Sequence, residues 1–324
     1  MIKQKSKKCT MKIIDFNTIK SLNLSPSQCV DWVDKAFRMK YSASLPGKIS
    51  MKIDPKIFFN TMPVYLPDLE RFGVKIVSRY PERTPSLQAD ILLSDTKTGK
   101  TLALMDGSWI TAMRTGAVAA LTIQTLKMSH TKEYAFLGLG NTARSTLLCL
   151  LSLLKDKPVH IRLLAYKGQE LLFKDRFAGY ANVTFSVYDS TEDLISGADV
   201  VVSCVTIATE LIASDSAFKK GVLVVPIHTR GFQNCDLFFD KVFADDVNHV
   251  KDFQYFNRFK KFDEFSRVLL KDNKGRESDE ERILVYNIGI ALHDIYYAAK
   301  IFNLIESQPL TEVNTFSLSE KYWV

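Results

Sequence analysis

The sequence predicts an α/β chain of two parts: a doubly wound parallel-sheet domain through its middle, and an α+β domain built mainly from its first third. Three observations carry this. With 324 residues, 46% of them hydrophobic, the chain exceeds one ordinary domain and can bury a sizeable core. From about Thr131 onward, short apolar runs alternate with helical stretches. Where the first of these runs gives way to a helix stands the loop Gly138-Leu139-Gly140-Asn141-Thr142-Ala143.

Taken in order, residues 1–10 form a basic tail, in which Lys3, Lys5, Lys7 and Lys8 supply part of the formal charge of +7. Ser25 can cap a helix whose first turn suits Pro26. Strand-like runs follow at 73–78 and 89–94, and Thr98-Gly99 makes a hairpin turn before a run at 101–105. Arg114, just before Thr115-Gly116, reads as the start of a helix. Strands are then expected at 134–137, 160–164, 183–187, 199–204, 221–226 and 241–246, with helices at 142–154, 169–177 and 191–195. Continuous β-branched runs joined by helices mark a parallel sheet covered on both faces. Residues 282–303 carry Ile283, Tyr286, Ile290, Ile295 and Ala299 at helical spacing and read as a helix returning toward the first domain. The expected division is 11–125 with 304–324 for the α+β domain, and 126–303 for the parallel-sheet domain.

Several function classes are excluded by what this pattern lacks. Beyond the tail the chain is only mildly basic, and no nucleic-acid-binding module is recognisable. Apolar runs are broken by charged residues well short of a membrane span, and the basic N-terminus is not followed by a signal-peptide core. Cys9, Cys29, Cys149, Cys204 and Cys235 are odd in number and widely spaced, as reduced thiols of a cytoplasmic protein would be. His130, His160, His249 and His293 have none of the spacings that build a zinc site, so no metal is expected.

The 138–143 loop has the pattern G-x-G-x-x-A between a strand and a helix, the setting of a Rossmann-type dinucleotide site. Gly138 permits the tight turn, Gly140 lets backbone approach a pyrophosphate, and Ala143 keeps the helix close to the sheet. The diphosphate would meet backbone N–H groups at the positive end of the helix dipole. The expected cofactor set is Gly138, Gly140, Asn141, Thr142, Ala143 and Lys167, with Thr115, Val205 and Thr206 at its margin. After the second strand, 164–168 has no acidic residue for the ribose hydroxyls of NAD. Lys167 is a candidate partner for the extra phosphate of NADP and equally a plain surface lysine, so NAD and NADP both stay open.

Upstream, Thr61-Met62-Pro63-Val64-Tyr65, the strand around Lys75, and the run from Met105-Asp106-Gly107 through Arg114-Thr115-Gly116-Ala117 form a more specific set. Together with the 286–294 segment ending in Gly289, Ala291 and Asp294, they resemble the ornithine cyclodeaminase and mu-crystallin family. The resemblance runs from about residue 11 nearly to the end. It implies a homodimer in which the α+β domain serves dimerisation and substrate, with Lys75 and Arg114 on an amino-acid or keto-acid carboxylate. Lys48 then stands where the family usually has arginine, which keeps the charge and loses the bidentate fork. Independently, Lys75 interrupts an apolar strand and needs an anionic partner if its head is buried. Arg114 could grip a carboxylate through two parallel hydrogen bonds.

One departure matters. After the 222–225 run the family's aspartate is missing, and the chain reads Ile227-His228-Thr229-Arg230-Gly231. His228 is a candidate proton carrier near neutral pH, and Arg230 a candidate for a second anionic group. The candidate catalytic residues are therefore Lys75, His228 and Arg230. Three functions remain: a cyclodeaminase-like enzyme passing hydride at Cα, with ornithine to proline and ammonia as its form; an NAD(P)-dependent amino-acid dehydrogenase or imine (ketimine) reductase; and a crystallin-like NADP-binding protein without turnover.

Overall fold

The computed structural model describes residues 9–205, 212–227 and 236–315. The chain begins β1 (Cys9–Ile14), α1 (Phe16–Ser21), α2 (Pro26–Arg38), β2 (Ile49–Asp54), β3 (Ile57–Leu66), β4 (Arg71–Arg79), β5 (Leu87–Asp95), β6 (Thr101–Asp106) and α3 (Ser108–Leu126). It continues with β7 (Glu133–Leu137), α4 (Asn141–Leu154), β8 (Val159–Leu164), α5 (Gln169–Arg176), β9 (Val183–Tyr188), α6 (Thr191–Ile195) and β10 (Val200–Ser203). Last come β11 (Leu223–Pro226), β12 (Lys241–Ala244), β13 (Phe262–Glu264), α7 (Phe265–Leu269), β14 (Ile283–Tyr286), α8 (Ala291–Ile305) and β15 (Thr311–Thr315). No helix among the described residues is long and apolar enough to cross a membrane.

These elements divide into two compact units. The first takes the described residues up to Leu24, Met39–Thr111 and those from Ala291 on; the second takes Ser25–Arg38 and Ala112–Ile290.

The first unit is a seven-stranded sheet in the order β15-β1-β6-β5-β4-β3-β2, antiparallel except where β1 lies parallel to β6. Its hairpin turn forms as the sequence predicts: Gly99 takes φ +68° and the Asp95 carboxylate accepts the Thr98 N–H. One face of the sheet, carrying Met62, Val64, Val77, Ile91, Leu93 and Met105, is buried, and α8 packs against β3, β4 and β5. The other face is apolar and exposed, with Ile49, Met51, Tyr65, Phe72, Ile76 and Leu104 spread across four strands. Asp90 and Asp106 are directly opposed on that face, where burial and then the Asp106 charge push the Asp90 carboxyl above its ordinary value.

The second unit is an eight-stranded sheet in the order β13-β12-β14-β11-β10-β7-β8-β9, with every pairing parallel. Strands β9-β8-β7-β10-β11 give the 3-2-1-4-5 order of a Rossmann sheet, whose winding reverses between β7 and β10. Leu223–Pro226 and Ile283–Tyr286 are buried at every position, as strands covered on both faces must be. Helix α2 starts as expected, with the Ser25 hydroxyl accepting the Gln28 N–H at 3.1 Å, and buries Val30, Val33 and Phe37. Within this unit α3 and α4 come into backbone contact at Gly116, where a Cβ would lie 2.4 Å from the Ser145 carbonyl carbon. Gly116→Val is therefore expected to cost about 3 kcal/mol or to prevent folding, since two backbones cannot yield as side chains do; urea denaturation measures it.

Three expectations need correction. Residues 282–303 are not one helix: Ile283–Tyr286 joins the parallel sheet between β11 and β12, and the helix starts only at Ala291. A four-residue apolar run satisfies either periodicity, and pairing on both sides decides it; Gly289, at φ +98°, then breaks the chain direction. Arg114 lies in the second turn of α3, which begins at Ser108, rather than at a helix start. The division of the chain also differs from the expected ranges at three helices, since α3 from Ala112 on belongs with the second unit. Pro26–Arg38 packs on α4 and α7 and belongs with the second unit, while Ala291–Ile305 covers the first unit's sheet.

Candidate active site

In the second unit the carboxyl ends of β7 and β10 meet at the reversal of strand order. Gly138 leaves β7 at φ +78°, and a Cβ there would stand 2.9 Å from the Cys204 carbonyl carbon and 3.0 Å from the Val205 nitrogen. Only glycine permits both the backbone angle and the approach. Gly140, the N-cap of α4, has an ordinary φ of −75°, and its Cβ position faces open space. No side chain caps this helix; Asn141 is exposed, Thr142 half-buried and Ala143 buried against the sheet. The result is a cradle of backbone N–H groups at a helix N-terminus with room for a diphosphate. Thr115 precedes Gly116, the residue that meets Ser145 one turn into α4, so the structure brings Thr115 to the same corner as the loop. Burial pushes the Cys204 thiol well above its ordinary value, so it stays protonated beside this loop.

At the end of β8, Lys167 adopts φ +51° and its ammonium lies over the Tyr166 ring, 5.2 Å from the centroid. Glu170 folds back so that its carboxylate accepts the Tyr166 N–H at 3.0 Å. Its own N–H and that of Tyr166 hold the carboxyl below the usual range. The turn thus carries a carboxylate as well as a cation. The 164–168 window missed Glu170 because the acid stands two residues beyond and returns through the chain reversal.

Arg114 is buried, with its guanidinium against Gly289: a Cβ on that glycine would lie 2.5 Å from Nη1. The Gly289 N–H is donated to the Asp245 carboxylate, which is fully buried at the end of β12 and also pairs with His249 Nδ1 at 3.4 Å. The sequence left His249 isolated and passed over Asp245; only the sheet order places both beside the loop after β14.

In the first unit Lys75, 1% exposed, points to the covered face of the sheet, and its ammonium is 2.6 Å from Asp294 Oδ2 on α8, itself 0% exposed. The expected anionic partner is therefore a residue of this same unit. Asp294 stood in the 286–294 segment without a role, and the requirement that a buried lysine be paired was the signal that could have singled it out. Lys48 is half-buried and directly precedes β2, whose Ile49 pairs with Thr61, itself opposite Ile76. That register sets it two strands, or about 10 Å, from Lys75. His228, Arg230 and Thr206 lie outside the described residues.

Residues 11–308 match the Ornithine cyclodeaminase/mu-crystallin family. The chain belongs to this family. Among its relatives, the nodulation efficiency protein NfeD of Rhizobium meliloti is 28% identical over 290 residues, 84% of this chain and 87% of that one. The Delta(1)-pyrroline-2-carboxylate reductase of Bacillus cereus is 25% identical over 265 residues, 74% of this chain and 79% of that one. The solved structure of the Thermococcus litoralis Delta(1)-pyrroline-2-carboxylate reductase, in complex with NADH and L-proline, superimposes with a TM-score of 0.82 at 23% identity, covering 94% of this chain and all of that one. The family's fold is thus the fold of this chain, with its Rossmann sheet in the second unit. Among the family-motif positions, Lys75, Arg114 and Asp294 are all buried, where a loop placement would have left long charged side chains in water.

Proposed function

We propose that this member of the family is an NAD(P)-dependent oxidoreductase acting at the Cα of a small amino or imino acid, with reduction of a cyclic imino acid such as Δ1-pyrroline-2-carboxylate to proline as its leading form. The carrying observation is the β7–α4 turn, where Gly138 closes on Cys204 and Val205 while the space over Gly140 stays open. Gly138, Gly140, Asn141, Thr142 and Ala143 would hold the diphosphate by backbone N–H groups, with Thr115, Lys167, Val205 and Thr206 as further residues for the cofactor. When bound, the nicotinamide supplies or accepts the hydride at Cα. Lys75 and Arg114 hold the substrate carboxylate by charge-assisted hydrogen bonds, and Lys48 adds charge without the fork an arginine would bring. His228 carries the proton of the imine nitrogen and Arg230 takes any second anionic group. The missing aspartate between Pro226 and Asp236 favours reduction over cyclodeamination.

Two incubations test this. Consumption of NADH or NADPH with Δ1-pyrroline-2-carboxylate, yielding proline, is the expected result. Ornithine with catalytic NAD giving proline and ammonia, without reduced cofactor building up, would instead make it a cyclodeaminase. Nucleotide binding without turnover of either would leave the crystallin-like binding reading.

The apolar outer face of the first unit's sheet supports a homodimer, since monomeric proteins rarely leave so broad an apolar surface in water. Light scattering should return twice the chain mass of 36.8 kDa. Phe72→Asp with Ile76→Lys is expected to weaken the dimer by about a hundredfold or more, because two charges would be desolvated in its centre; an unchanged mass at low concentration would place the interface elsewhere.

A further inference from the structure

Lys75 and Asp294 come from separate segments of the first unit, Met39–Thr111 and the residues from Ala291 on, and their 2.6 Å separation depends on how closely α8 lies on β4. Gly73 sets that approach. A Cβ there would be 2.5 Å from the Leu92 carbonyl oxygen and 2.8 Å from Ile295 Cδ1, so the glycine two residues before the lysine receives the residue directly after the aspartate. On the neighbouring strands Lys75 is paired with Met62 and Ile91, both buried and apolar. A buried ion pair in such surroundings recovers little more than its desolvation cost, and an apolar pair of similar volume would serve stability as well. Stability therefore does not account for it.

We propose that Asp294 is the positioning residue of Lys75: from α8 it keeps the lysine charged at a fixed point of the covered sheet face, so that the remaining N–H bonds of the ammonium are aimed at the carboxylate of the substrate. This rests on the substrate-binding role of Lys75 given above. It also explains the composition of the site, because a lysine already neutralised by a carboxylate binds an anion through directed hydrogen bonds rather than through net charge. Binding then depends on geometry, which suits a small rigid imino acid better than an arbitrary anion.

The test compares kcat/KM against pH for the full-length protein and for Asp294→Asn and Asp294→Glu, with Δ1-pyrroline-2-carboxylate and reduced nicotinamide cofactor. Without the carboxylate, burial disfavours the ammonium by about three pH units or more, as is usual for a fully buried lysine. Asp294→Asn should therefore lose about tenfold or more of kcat/KM near pH 8 and regain most of it near pH 6. A purely structural role would give a loss independent of pH, and that result, or a profile superimposed on wild type, overturns the proposal. Asp294→Glu should retain the wild-type profile with a raised KM; an unchanged KM counts against the proposal even if Asp294→Asn does not fold. The Lys75 Nζ signal of wild-type protein carrying 15N-lysine supplies a readout without substrate, expected to remain that of an ammonium through about pH 8, and a neutral amine there refutes the proposal. An inactive wild type that keeps this ammonium signal defeats the proposed reaction and leaves the hold of Asp294 on Lys75 standing. An active wild type with an unaltered Asp294→Asn profile does the reverse.

Discussion

Lys75→Met is expected to destabilise the protein by about 3–5 kcal/mol at neutral pH, the usual cost of leaving one member of a buried ion pair behind. Asp294, 0% exposed, would then be a carboxylate without its ammonium. Burial raises such a carboxyl in the folded state above its unfolded value, so the variant takes up a proton on folding. The sign follows: the deficit against wild type is largest above the raised folded value and shrinks as pH falls through it. Urea denaturation near pH 7 and near pH 5 should show the difference narrowing. Lys75→Met/Asp294→Leu, which buries no charge, should be more stable than Lys75→Met alone and just as inactive. Equal stability of the single and double variants would mean that the two groups are not energetically coupled.

The second large effect separates two glycines that look alike in the loop. Gly140→Val should leave folding stability within about 0.5 kcal/mol, because its φ is ordinary and its Cβ meets nothing within 4 Å. Nucleotide affinity should nevertheless fall about a hundredfold, or roughly 2.7 kcal/mol, since the side chain would fill the space meant for the diphosphate. Gly138→Val should do the opposite in kind. There a φ of +78° and the 2.9 Å approach to Cys204 put the strain in the fold itself, lowering stability by about 1–3 kcal/mol before any ligand is present. Calorimetric titration with NADH and NADPH, alongside thermal unfolding, distinguishes the two. If Gly140→Val binds as tightly as wild type, the diphosphate does not lie over this turn.

Much of the second unit was legible in the sequence because its strands are short, continuous and apolar and its helices begin at recognisable residues. The span 142–154 expected for α4 and the 191–195 expected for α6 differ from the observed helices by one residue at most. Strand β14 was not legible. Ile283, Leu284, Val285 and Tyr286 fit the spacing of the following helix, and only hydrogen bonding to β11 and β12 makes them a strand. Strands β1 and β15 escaped for a related reason: their pairing joins residues some 300 positions apart, as in Cys9 with Thr315, and no local pattern announces that. In the site, Gly138, Gly140 and Ala143 could be read locally because strand, turn and helix are contiguous. Asp294, Asp245 and Glu170 could not, since each gains its meaning from a partner on another element or across a chain reversal.

The sequence by itself determined the parallel-sheet class, the dinucleotide turn and the need of a strand lysine for an anion. These are properties of neighbours along the chain, set by side-chain period, by glycine geometry and by the cost of an unpaired charge. Tertiary structure alone decided which anion Lys75 meets, which unit each bordering helix joins, and where Arg114 comes to rest. Those depend on how closely α8 can settle on β4 over Gly73 and how α3 meets Gly289, and backbone approach of that kind is fixed by packing between distant segments rather than by any local preference.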